Sequence, residues 1–346
     1  MPVKTTIVDL KKEWESGNRS LFSRTLTEKI GHALSAKKQV ILYLNKRGFS
    51  SAFTCLKCGE SIHCPHCDVT LTLHKESAQR RFLLCHVCGR VVKVPTSCPS
   101  CNSNNVKFVG VGTQKVTETL SDMFPRAKVV RADRDTTRTK ASFDAIYRDL
   151  HEGKVDILVG TQIIAKGLDL GNVALIGVPF ADVGLYVPDF RASERVFQSI
   201  MQVAGRTGRL GRKGEVVIQT LLPNDPAILA AAKGDYEAFY EATVRERKKL
   251  NYPPFTRIIK LAYVDADEQK AIRAAKTLSE ELQWLVDNDA ECKGAAEVAM
   301  APASPVRMHD KYHYHVILRG KNPRILLDRV KLARGWRVDV DPVSIA

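Results

Sequence analysis

Eight of the nine cysteines fall between residues 55 and 101, as four Cys-x-x-Cys pairs: Cys55/Cys58, Cys64/Cys67, Cys85/Cys88 and Cys98/Cys101. Each pair aims two thiolates at one point, and a tetrahedral zinc needs two such pairs. Four pairs therefore predict two zinc sites with four thiolate ligands each. Val69–His74 and Arg81–Leu84 read as two strands of a ribbon, and a hairpin between them brings Cys64 and Cys67 back to Cys85 and Cys88. Cys55 and Cys58 are then left with Cys98 and Cys101, a nested arrangement; sequential pairing is the alternative. His66 and His86 sit inside the knuckles as spare ligands that eight thiols make unnecessary, and four short pairs on hairpins suit zinc better than an iron–sulfur cluster. With every coordination position closed, such sites are scaffolds rather than catalysts. The expectation is a protruding, rigid platform that binds DNA or another protein.

Cysteines paired this closely in a reducing compartment indicate metal rather than disulfides. Residues Met1–Leu10 are polar and lack the apolar core of a signal peptide, and no stretch reaches the roughly 20 apolar residues a membrane helix needs. A cytoplasmic protein with no membrane partner is expected. The net charge of +15 and a pI of about 9.4 favour an acidic partner, nucleic acid ahead of a membrane. A generally basic solvated surface would give the same balance.

Around the cysteines, short apolar runs alternate with amphipathic ones. Phe22, Leu26, Ile30 and Leu34 recur at helical spacing, in a helix that Ser20 would open, and Val40–Leu44 is a continuous apolar run of the kind buried on both faces of a parallel sheet. After the last cysteine the alternation resumes through 116–124, 129–130, 143–150, 156–159, 173–178, 191–204 and 216–219. Strands alternating with helices of this length predict a doubly wound α/β domain. The cysteine module is then an insertion after its first strand. We place this domain at 1–51 and 109–225 and the module at 52–108. The remainder, 226–346, reads as a polar helical segment, a break at Tyr252-Pro253-Pro254-Phe255, and then strand, helix, strand, strand, helix, strand, the α+β ferredoxin-like order.

Two stretches carry chemistry. Gly160-Thr161-Gln162 leads, directly after a strand, to Lys166-Gly167-Leu168-Asp169; Gln202-Val203-Ala204-Gly205-Arg206-Thr207-Gly208-Arg209 closes a later helix. Together they resemble the fifth and sixth signature motifs of superfamily 2 helicases, which implies a RecA-like second helicase lobe. In that resemblance Arg206 and Arg209, with Gln202, face the γ-phosphate, where a permanently charged planar guanidinium suits a transferring phosphoryl group. Gly205 and Gly208 would let the backbone turn. Thr161, Gln162 and Lys166 lie near the DNA backbone, and Gly167 and Asp169 couple that contact to the nucleotide.

Further segments narrow the resemblance. Leu44-Asn45-Lys46-Arg47-Gly48-Phe49, Gly112-Thr113-Gln114, Arg131 through Thr137, Pro188-Asp189-Phe190-Arg191-Ala192-Ser193-Glu194-Arg195 and Tyr252-Pro253-Pro254-Phe255 all resemble the PriA family of primosomal DNA helicases. Its members are ATP-dependent 3′–5′ helicases that recognise abandoned replication forks and load the replicative helicase. The resemblance implies branched DNA, single-stranded segments, primosome proteins and single-stranded DNA-binding protein as partners. Two departures stand out. Phe180-Ala181-Asp182 replaces an expected Asp-Ala-Asp, and no Gly-x-x-x-x-Gly-Lys-Ser/Thr or magnesium-holding acidic motif occurs. The expectation is the C-terminal half of such a helicase, in which ATP and Mg2+ bind only with a first lobe and the chain alone does not hydrolyse ATP. A zinc-containing DNA or protein adaptor with a relic motor lobe is the alternative.

Overall fold

The computed structural model describes residues 4–44, 53–55, 57–65, 70–75, 81–85, 88–108, 113–133, 136–137, 139–161, 172–207 and 214–345. The chain runs β1 (Lys4–Asp9), α1 (Leu10–Glu15), α2 (Arg24–Ser35), β2 (Gln39–Tyr43), β3 (Phe53–Cys55), β4 (Thr72–Lys75), β5 (Arg81–Leu84), β6 (Val91–Lys93), β7 (Val106–Phe108), α3 (Thr113–Met123), β8 (Val129–Ala132), α4 (Lys140–His151), β9 (Ile157–Gly160) and β10 (Val173–Val178). It continues through a 3-10 turn (Ala181–Tyr186), α5 (Ala192–Ala204), β11 (Glu215–Thr220), α6 (Pro226–Lys233), α7 (Tyr236–Lys249), β12 (Arg257–Asp265), α8 (Glu268–Asn288), β13 (Glu297–Met308), β14 (Lys311–Gly320), α9 (Arg324–Arg329) and β15 (Trp336–Val340).

Six strands form a parallel sheet in the order β1-β11-β10-β2-β9-β8. Because successive side chains point to opposite faces, β2 is divided between two cores. Val40, Leu42 and Leu44 pack with Leu26 and Ile30 of α2 and Val116 and Leu120 of α3. Ile41 and Tyr43 pack with α4, α5 and α6 on the other face. The doubly wound prediction holds.

Three details differ from the sequence reading. The module follows the second strand of the sheet, because Lys4–Asp9 is itself an edge strand paired with β11. Helix α2 is opened by Ser23, whose hydroxyl accepts from the Leu26 amide at 3.1 Å, and not by Ser20. Lobe packing also runs past the expected boundary at 225, since Ala227, Ile228, Ala230 and Ala231 of α6 and Phe239 of α7 share a core with Phe197 and Ile200 of α5.

The C-terminal sheet has the order β13-β14-β12-β15, with every neighbouring pair antiparallel. This is the strand order the βαββαβ connectivity requires, with α8 covering one face through Ala271, Ala275, Leu278 and Leu282. No helix among the described residues is long and apolar enough to cross a membrane.

Candidate functional site

Within the module, the thiols of Cys55, Cys58, Cys98 and Cys101 converge on one point, and those of Cys64, Cys85 and Cys88 on another. Cys55 Sγ lies 3.6 Å from Cys101 Sγ, Cys58 from Cys98 at 3.6 Å, and Cys64 from Cys88 at 3.6 Å. A disulfide would need about 2.05 Å. Tetrahedral zinc–sulfur bonds of about 2.3 Å instead place neighbouring sulfurs roughly 3.8 Å apart, so the donor set fits that ion. The nested arrangement is the one adopted. Cys67 lies outside the described residues.

Each described knuckle closes in the same way. The amide of Gly59 donates to Cys55 O, that of Gly89 to Cys85 O, and that of Asn102 to Cys98 O, at 2.8, 2.9 and 2.9 Å. Gly59, Gly89 and Asn102 all have positive φ, which glycine and asparagine adopt most readily. Each directly follows the second cysteine of its pair, a signal that was available in the sequence. Burial, with neighbouring thiols, pushes Cys58 up to about 12. Burial also pushes Cys98 up, but the amides of Cys101 and Ser100 outweigh it and bring that thiol down to about 7. A cation drawing four thiolates to one centre removes that conflict.

The expected protruding platform is not what the fold builds. Ribbon residues Leu71, Leu83, Cys64 and Cys85 share a buried cluster with Tyr252, Ile258, Ile317 and Ile345 of the C-terminal domain. Their apolar side chains find there the cover that a small ribbon cannot give itself.

The same place is the joint between lobe and C-terminal domain, built on the Pro188–Arg195 segment. Asp189 is buried; its carboxylate pairs with Arg195 at 3.1 Å and accepts from the Ser344 hydroxyl at 2.5 Å and the Ile345 amide at 3.2 Å. Arg195 also donates to Val343 O at 2.7 Å. Phe190 stacks on Tyr252 with centroids 5.0 Å apart. Arg247 lies over Phe190 and pairs with Glu194 at 2.7 Å. Asp182, beside the Phe180 departure, accepts from Tyr186 Oη at 2.8 Å and from the Leu221 amide at 3.0 Å. Its carboxylate ties the 3-10 turn to the end of β11, while Phe180 packs against the α2 core.

The motor residues separate. Thr161 is buried just past the C-terminal end of β9, its amide donating to Ala132 O at 3.3 Å. Gln202 is exposed on the last turn of α5, and the Arg206 amide donates to Val203 O at 2.9 Å. Thr207 is held at the start of β11, where a Cβ on Gly214 would lie 1.3 Å from its hydroxyl. β9 and β11 run in the same direction within one parallel sheet, so Thr161, past the end of β9, and the Arg206–Thr207 turn, beside the start of β11, lie at opposite ends of its strands. Gly205 has φ −67°, which any residue adopts, so its expected conformational role is absent. Gln162, Lys166, Gly167, Asp169, Gly208 and Arg209 lie outside the described residues. Sequence reasoning missed buried Asp133, which accepts from the Thr113 hydroxyl at 2.6 Å and pairs with Arg131 at 3.3 Å. This contact joins the Gly112-Thr113-Gln114 segment to the Arg131–Thr137 segment.

Comparison with known proteins agrees with this layout. Residues 64–93 match the family model of the PriA DNA helicase Cys-rich region domain, 102–211 the helicase conserved C-terminal domain, and 248–343 the primosomal protein N C-terminal domain. The replication restart protein PriA of Bacillus subtilis is 40% identical over 92% of this chain, that of Chlamydia muridarum 37% over 99%, and that of Treponema pallidum 36% over 99%. The chain spans 38%, 46% and 52% of the lengths of these three relatives. With a helicase C-terminal lobe, a cysteine-rich zinc ribbon and a primosomal C-terminal domain in one chain, the protein belongs to the PriA family.

Proposed function

We propose that this chain is the C-terminal part of an ATP-dependent 3′–5′ DNA helicase that recognises and remodels stalled replication forks and promotes primosome assembly. The observation that carries the reading is the division of the lobe between the two ends of its parallel strands. The Arg206 turn lies at the N-terminal end, beside the start of β11. Thr161 and the docked module lie at the C-terminal end. A nucleotide at the first end and DNA at the second is the separation a motor needs, because phosphate chemistry and strand contact then communicate through the lobe.

In this assignment Gln202, Arg206 and Arg209 face the γ-phosphate, Gly167 and Asp169 couple nucleotide to DNA, and Thr161, Gln162 and Lys166 hold the DNA backbone. One Zn2+ is held by Cys55, Cys58, Cys98 and Cys101, and a second by Cys64, Cys67, Cys85 and Cys88. Both ions stiffen the module. The motor lobe extends to the end of α7, and primosome proteins, single-stranded DNA-binding protein, branched forks and single-stranded segments are the partners. ATP and Mg2+ require a first lobe, since the sequence has no Gly-x-x-x-x-Gly-Lys-Ser/Thr phosphate cradle.

The test is DNA-stimulated ATPase of the purified chain, alone and mixed with a chain carrying the first lobe. No turnover alone, turnover in the mixture, and its loss with Arg206→Ala are expected. Turnover by the chain alone that disappears with Arg206→Ala would overturn the claim of dependence on a first lobe.

A further inference from the structure

The two cysteine clusters face different domains. At the outer cluster, a Cβ on Gly59 would lie 2.3 Å from Leu221 O, past the end of β11 in the motor lobe. Lys11 of α1 also donates to Cys58 O at 3.2 Å. At the inner cluster, a Cβ on Gly89 would lie 2.2 Å from Met300 O in β13 of the C-terminal domain. Cys64 and Cys85 are buried there against Ile258 of β12 and Ile317 of β14. Each knuckle glycine therefore brings its backbone against a different body, closer than any side chain allows.

Resting on the zinc assignment above, we infer that the module is a two-ended coupling: the outer cluster fixes it to the motor lobe, the inner cluster fixes it to the C-terminal sheet, and emptying the inner cluster uncouples the C-terminal domain while the lobe stays folded. The direct contacts between the two bodies do not substitute for the inner knuckle. Tyr252, Phe190 and Ile345, which form the stack and the latch, share their apolar cluster with Cys64 and Cys85. Loss of the inner knuckle exposes them to water and weakens both. Among the described residues, the outer knuckle has no member in that cluster.

Hydrogen–deuterium exchange on the full chain, with zinc content measured on the same samples, tests this. Cys64→Ser with Cys85→Ser should lower zinc content and speed exchange about tenfold in β12, β14, residues 188–195 and residues 250–256, with β2 and β9 unchanged. Cys55→Ser with Cys98→Ser should speed exchange around 57–61 and 221–222 and leave β12 and β14 protected. Should the cysteine variants fail to fold, Gly89→Asn and Gly59→Asn keep all ligands. Asparagine accepts the left-handed turn but not the close contact, so each should reproduce the pattern of its own cluster with zinc retained. Equal effects of the two clusters on β12 and β14, or no effect of Gly89→Asn there, overturn the coupling. A wild-type chain without zinc overturns the metal assignment instead, and the glycine variants then decide the docking alone.

Discussion

The two ends of α5 are built for different purposes. Its N-terminal end sits in a joint where Asp189, Glu194, Arg195 and Phe190 all have partners in the C-terminal domain or in α7. Its C-terminal end carries an exposed Gln202 and the half-exposed Arg206. Buried, mutually satisfied charge specifies one geometry. Gln202 on the last turn is open to solvent, and Arg206 beside it is only partly covered. The contrast teaches that the residues holding a helicase lobe to its neighbour can be as polar as those proposed for its chemistry, and that they differ in how deeply they are buried.

The largest expected effect is at the clamped end. Asp189→Ala leaves Arg195 uncompensated and removes the acceptor for Ser344 and Ile345; breaking a buried pair in this way costs about 3–5 kcal/mol, readable as a lowered urea midpoint. A midpoint within error of the wild type would break the comparison. Next comes Phe190→Ala, which removes the stack on Tyr252 and should cost about 2–3 kcal/mol, at the low end for phenylalanine because the ring is only partly buried.

A smaller effect of opposite sign is expected at Asp225, which caps α6 from the joint side of the sheet. Burial, reinforced by the charges of Asp182 and Glu60, holds its carboxyl above the ordinary value of 3.8. The folded state therefore binds this proton more tightly than the unfolded state does. That contribution is fully present below the unfolded value and is lost as pH rises through the folded one. Asp225→Asn keeps the cap and should raise the melting temperature near neutral pH, with the advantage shrinking as pH falls towards 3.8. A gain that persists in acid would mean that charge is not its source. The smallest stability effect belongs to the C-terminal end of α5. Arg206→Ala should cost about 1 kcal/mol or less, while ATPase of the complex with a first lobe falls by about 10³-fold or more.

Much of the architecture could be read from the chain because its physical signals are local. The apolar run of β2 announces a strand buried on both faces, and the cysteine spacing announces two knuckle pairs whatever surrounds them. The misses have equally physical causes. β1 carries Lys4, Thr5, Thr6 and Asp9 on an edge only half covered, so its pattern never becomes apolar. A boundary was expected at 225, before a helical segment assigned to the next domain; Asp225 as cap, Pro226 in the first turn and Gly234 at φ +70° mark where a helix starts and stops, but not which core it joins. Docking of the module left no local trace. Leu71 and Leu83 look like the inner face of a ribbon, and only the surface they meet shows that they belong to a joint. Motif order singled out Arg206, but Asp133 and Asp189 were not distinguished from solvated carboxylates, because burial is a property of the fold.

The burial of Cys64 and Cys85 has a kinetic consequence. Both are buried in one cluster with Tyr252, Ile258 and Ile345, whereas Cys88 beside them is partly exposed, so a thiol reagent reaches these two only while those neighbours are apart. When reclosing is fast, the reaction rate of these sulfurs is the opening equilibrium multiplied by the intrinsic rate of the exposed thiol. Cys64 and Cys85 are thus a built-in clock for how often the domains separate, and any ligand that tightens the joint should slow it.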